Sequence, residues 1–121
     1  MKNQLMCLFI TVFFSCSEHH TTPSEVAQVV VESFYKKNND ALKKHTTNES
    51  FESFLSIQGF ITDSENKASD FAVIEEIAEG DIAWVKFTTS YEDKPETFKL
   101  VLVDGHWKVT EKGLREKPPF E

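Results

Sequence analysis

Cysteine is nearly missing from this chain: there are two in 121 residues, Cys7 and Cys16. Cys7 falls inside an apolar leader. A chain trimmed after Ser15 therefore keeps one thiol, forms no internal disulfide, and depends on its core alone. Long apolar runs are missing too. The run from Leu5 to Phe14 holds about ten residues, within the roughly 7–15 of a signal-peptide core and too short to span a bilayer. Positive charge is scarce: 13 Lys and Arg stand against 20 Asp and Glu, a net charge of −7 that becomes −8 once Lys2 leaves with the leader. That balance argues against nucleic acid or an anionic membrane surface as the main partner, and its plain consequence is solubility. No glycine-rich phosphate loop, zinc-ligand spacing or nucleophile elbow is present, and no serine has an activating context. No cofactor is expected.

What is there begins at the leader. Lys2 supplies a positive start, followed by Leu5, Met6, Cys7, Leu8, Phe9, Ile10, Val12, Phe13 and Phe14. Ordinary secretory cleavage after Ser15 would want a small residue at Phe13. The stretch Phe13-Phe14-Ser15-Cys16 instead resembles a bacterial lipobox, although Phe13 and Phe14 depart from its preferred Leu and small residue. The resemblance implies a signal peptide over 1–15 and acylation of Cys16 on its sulfur and its new amino group. Three acyl chains give a stable membrane anchor, because one chain binds only marginally at about 0.8 kcal/mol per buried CH₂. The alternative is an incidental Cys after an ordinary signal. By the same resemblance, Ser17 suits sorting to an outer membrane, with the domain facing the periplasm.

Residues 16–22 read as a lipidated tether, in which His19 and His20 lack further ligands for a metal. One domain of this size buries about 65% of its unfolded surface. Thr22-Pro23-Ser24-Glu25 is a capping box with proline at the first helical position, and Val26, Val29, Val30 and Phe34 form a helical stripe. Asp40–Lys44 adds a turn or two. A second capping box is expected at Thr46–Glu49, opening a helix with Phe51, Phe54 and Leu55 on its apolar face. It should end at a left-handed Gly59, with Phe60 folded back. Residues 71–78 fit strand or helix, and Gly80-Asp81 favours strand. Ala83, Val85, Phe87, Thr89 and Tyr91 alternate as a strand, and Glu92–Pro95 reads as the next turn. Phe98, Leu100 and Leu102 alternate again, and Asp104-Gly105 marks a hairpin into Trp107 and Val109. The expected fold class is α+β: N-terminal helices on a curved four-stranded antiparallel meander, one domain over 23–117, with a frayed tail at 118–121.

Three segments, "TPSEVAQVVVESFYKKNNDAL", "GDIAWVKFTTSYED" and "FKLVLVDGHWKV", together behind a lipobox resemble small bacterial lipoproteins with a lumazine-binding-type domain. These belong to the nuclear-transport-factor-two-like superfamily of cystatin-like fold. The resemblance covers about residues 23–112, and the closing hairpin is its sharpest part. It implies a cone with an open, often apolar mouth, and pairing through the sheets into a homodimer. Such cones host enzymes, ligand binders and interaction modules alike, so the fold does not choose among them.

An isomerase of this superfamily uses a carboxylate base beside an oxyanion hole of a tyrosine and a protonated acid. The candidates for an inward polar group are Glu75, His45, Tyr35 and Tyr91. Each has a blander reading: Glu75 turned to solvent by a bulge, His45 capping a helix end, and the tyrosines packing their rings with hydroxyls at a rim. Trp107 is expected over the sheet. Trp84 falls on the outer face among Lys86 and Thr88, where it would be a partner contact or be partly covered. Three readings follow. The leading one is a membrane-anchored, non-enzymatic module that binds a small apolar ligand, a peptide or a partner protein, with Tyr35, Trp84, Tyr91 and Trp107 as contact candidates. The others are an isomerase or hydratase, and a structural subunit docked through Trp84.

Overall fold

The computed structural model describes residues 21–61, 66–110 and 116–120. The leader, Cys16, His19 and His20 lie outside the described residues. Helix α1 spans Pro23–Tyr35. Thr22 caps it as the sequence requires: its Oγ1 accepts from the Glu25 amide at 3.2 Å, and the Glu25 carboxylate accepts from the Thr22 amide at 3.3 Å. Its buried stripe is Val26, Ala27, Val30, Val31 and Phe34. Val29 stands at the margin of that stripe, half-buried. Fully covering an aliphatic or aromatic side chain of this kind contributes about 1.5–3 kcal/mol.

Helix α2, Asn39–Lys44, is one short turn that buries Leu42 completely. Helix α3, Asn48–Gln58, starts one residue later than the expected cap. Thr47 is the cap, accepting from the Ser50 amide at 3.4 Å. Thr46 is instead drawn inside, 2% exposed, with its hydroxyl donating to the Leu42 carbonyl at 2.7 Å. The reason is the sheet: Thr46 bridges Val109, and the backbone of His45 and Thr47 exchanges hydrogen bonds with Val109. Two further expectations for this helix fail. Leu55 is exposed, so Phe51 and Phe54 carry the apolar contact. Gly59 keeps right-handed dihedrals (φ −63°, ψ −18°) and Phe60 projects into solvent at 87% exposure, so no Schellman closure forms.

The sheet follows the helices as β1 (Ala72–Glu79), β2 (Ile82–Thr89), β3 (Glu92–Val103) and β4 (His106–Thr110), antiparallel in the order β1-β2-β3-β4. The class is α+β, with the helices first and an open meander after them. Helix α1 lies across one face and packs on β1, β2 and β4. Ala83, Val85, Phe87, Leu100 and Val109 point to that face and complete the core.

Two irregularities set which side chains look inward. A register shift between Val73 and Glu75 inserts one extra residue in β1. After it, Glu75 sits opposite Lys86 on the outer face and Glu76 faces α1. There Glu76 accepts from the Ser24 amide at 2.8 Å and the Ser24 hydroxyl at 2.7 Å, a carboxylate at a helix N-terminus.

The second shift corrects the sequence reading of 92–95. The turn is Ser90-Tyr91, and Glu92 already pairs with Thr89. Pro95 lies within β3, outside the stretch of residues 99–103 with which the described residues of β4 pair, so its missing amide breaks none of those ladder bonds. Both Glu92 and Glu96 thereby share the inner face with Phe98 and Leu100, since their partners Thr89 and Phe87 do.

Candidate functional site

Between the end of α1, helix α3 and the first half of β3 lies a pocket of about 380 Å³. Phe34, Tyr35, Phe54, Ile57 and Phe98 form most of its wall, with Ser53, Glu92 and Glu96 among the polar groups. The aromatic wall is continuous: Phe34 meets Phe54 at 5.4 Å between ring centroids, and Phe54 meets Phe98 at 6.0 Å. Helix α3 is held in place by Gln58, 7% exposed, whose amide donates to the Phe34 carbonyl at 2.8 Å and to Asn39 Oδ1 at 3.0 Å.

The polar end of the pocket belongs to Glu96, Glu92 and Tyr35. Burial pushes the Glu96 carboxyl above its ordinary value, and the neighbouring negative charge of Glu92 adds to the effect. Burial, then the charges of Glu96 and Glu92, push the Tyr35 phenol up to about 12. Tyr35 is therefore a neutral hydroxyl at physiological pH. Its ring stacks on Tyr91, and the Tyr91 hydroxyl turns away to donate to the Lys67 carbonyl at 2.8 Å. Burial also raises the Tyr91 phenol, with the charges of Glu32 and Asp70 adding to it. Among the described residues that line the pocket, the basic one is Lys99, and its ammonium is on the opposite face, paired with Glu116 and 5.6 Å from the Trp84 ring centre.

Of the sequence candidates, Tyr35 lines the pocket and Tyr91 supports it from behind. Trp107 is on the helix-facing side, packed against the core. Trp84 is on the outer face opposite Ile77 and Lys99, but it is 9% exposed. Lys99 lies over its ring, and Glu116 of the C-terminal segment holds Lys99 there; Pro118 and Phe120 in that segment are half-buried. His45 is away from the pocket, its ring nitrogen Nδ1 2.8 Å from the Ala41 carbonyl at the end of α2. Glu75 is exposed. Beside Glu92, the inward carboxylate of the pocket is Glu96, which the sequence reading passed over. Its signal was present: Glu96, Phe98, Leu100 and Leu102 keep one alternation, hidden by assigning Pro95 to a turn.

Among the described residues no group of three or more His, Cys, Asp and Glu could hold a metal, and no helix is long and apolar enough to cross a membrane. No family model matches the chain, and neither the curated proteins nor the solved structures give a match.

Proposed function

We propose that the protein is a binding module whose ligand is a small, largely apolar molecule held in the pocket between α1, α3 and β3. The observation that carries this reading is the pocket itself: about 380 Å³ of largely aromatic and aliphatic wall with a few polar side chains, Ser53, Glu92 and Glu96 among them. In the same proposal the module is tethered to the cell envelope through lipidated Cys16, and its helices and meander form a cone of the nuclear-transport-factor-two-like kind. The helix-then-meander order and the inward concave site support that kinship. A direct test uses the neutral dye N-phenyl-1-naphthylamine. Saturable one-to-one binding is expected, and Ser53→Trp, which fills the pocket from α3, should abolish it while leaving the circular dichroism spectrum unchanged. Equal binding by both proteins would sink the reading.

A second reading has one observation in its favour. Glu96 is a carboxylate of raised pKa facing a cavity beside the neutral phenol of Tyr35. A base and a hydrogen-bond donor on one apolar pocket are the parts of a proton-transfer site. Turnover of a β,γ-unsaturated ketone that disappears in Glu96→Gln would select this reading over simple binding.

A further inference from the structure

We infer that the pocket's ligand is an apolar organic cation, a hydrophobic primary amine or ammonium compound, whose charged head meets Glu92 and Glu96 while its body lies between Phe34, Phe54 and Phe98. The inference rests on the binding reading above and narrows its ligand class. Its basis is the charge of the lining. Two carboxylates enter the pocket from β3, on the same face and at the same end. Lys99, the basic side chain among the described lining residues, spends its charge on the other side of the sheet, against Glu116 and Trp84. Burial and the charge of Glu92 both raise the Glu96 carboxyl. Among the described residues, the charged groups at this end of the pocket are thus carboxylates.

Each class of ligand head fares differently there. A carboxylate or phosphate would add a third negative charge beside the half-buried Glu96 and the exposed Glu92, which costs repulsion and the ligand's own desolvation. A neutral head leaves Glu96 without a counter-charge. An ammonium supplies that counter-charge, and the Tyr35 ring and the phenylalanine faces add cation–π attraction. Ser53 and Tyr35 can accept or donate the remaining hydrogen bonds without altering the charge preference.

The test compares three probes of matched length, octylamine, octanol and octanoate, by isothermal titration calorimetry near neutral pH on the soluble domain of the full chain with its N-terminal leader removed. Octylamine should bind at least about tenfold more tightly than octanol, and octanoate more weakly than either. In a Glu92→Gln, Glu96→Gln double variant of unchanged circular dichroism, the gap between octylamine and octanol should vanish. Octanol or octanoate binding as tightly as octylamine would overturn the cation preference while leaving the binding reading intact, as would an amine preference that survives the double variant. Failure of all three probes together with the naphthylamine dye would remove both.

Discussion

The Tyr35 ring stacks on Tyr91 with centroids 3.8 Å apart and planes 16° from parallel. This contact joins the end of α1 to the β2–β3 turn, two parts of the chain far apart in sequence. It also fixes the Tyr35 hydroxyl at the polar end of the pocket. Offset aromatic pairs of this kind contribute about 0.5–1.5 kcal/mol beyond area burial. A double-mutant cycle of Tyr35→Leu and Tyr91→Leu, read by urea denaturation, should return a coupling of that size. Tyr91→Phe should keep the stack and lose only the hydrogen bond to Lys67. Additive single losses would show that the rings are merely adjacent.

The alkaline titration of this protein should lack a normal tyrosine. The chain has two tyrosines, and both phenols are raised, Tyr35 to about 12. A raised phenol binds its proton more tightly folded than unfolded. Its contribution to stability is complete below the ordinary value of 10 and is lost as pH rises toward about 12. Absorbance of tyrosinate should therefore rise with a midpoint above 10 in the native protein and return to the ordinary value in urea. A native midpoint at the ordinary value would contradict the burial assigned to these rings.

Glu96 makes the same argument at acid pH. Its raised carboxyl gives the folded chain an extra proton between the ordinary value of 4.5 and the native one. Stability from this group is fullest below 4.5 and declines as pH rises through the native value. Glu96→Gln removes the cost of a half-buried charge. The variant should melt a few degrees above the parent at neutral pH, and the two curves should converge as the solution is acidified. A variant less stable than the parent at neutral pH would mean that the carboxylate is favourably paired.

Gln58 should matter more than a surface glutamine. Its amide joins α3 to the Phe34 carbonyl and to Asn39, so truncation leaves that buried carbonyl relying on the longer bond from the Lys37 amide at 3.4 Å. Gln58→Ala should cost about 1–3 kcal/mol in chemical denaturation. Since α3 forms one wall of the pocket, dye affinity should fall with it. A loss of stability without any change in dye binding would show that the wall is held by Phe51 and Phe54 alone.

The parts of this fold that were legible were those written in local chemistry. The Thr22 capping box, the Val26–Phe34 stripe and the Asp104-Gly105 hairpin each depend on neighbours within a few residues. The parts that were not legible depend on distant partners. Thr46 gives up its capping position because Val109 takes it into the sheet. Trp84 is covered because Lys99 and Glu116 meet above it. Pro95 reads as a turn until one knows that it lies outside the stretch of β3 with which the described residues of β4 pair. The pocket suffered most from this last point: its carboxylates come from a segment whose inward phase shows only once the β2–β3 register is known. Glu75 was a case where the local reading of a bulge, with the side chain turned out, agrees with its exposed position.

The meander leaves its two borders unequal. On the β4 side, the strand is met at Val109 by the chain between α2 and α3. On the β1 side no strand among the described residues continues the ladder, and Val73 and Ile74 are exposed there. What stands along that border is charge, from the exposed Glu75 and Glu79 in β1 itself. These glutamates act as gatekeepers against edge-to-edge association of separate molecules. Charge rather than a further strand guards this border, so a substitution that removes it, such as Glu75→Val beside the exposed Ile74, turns the same strand into a seed for aggregation.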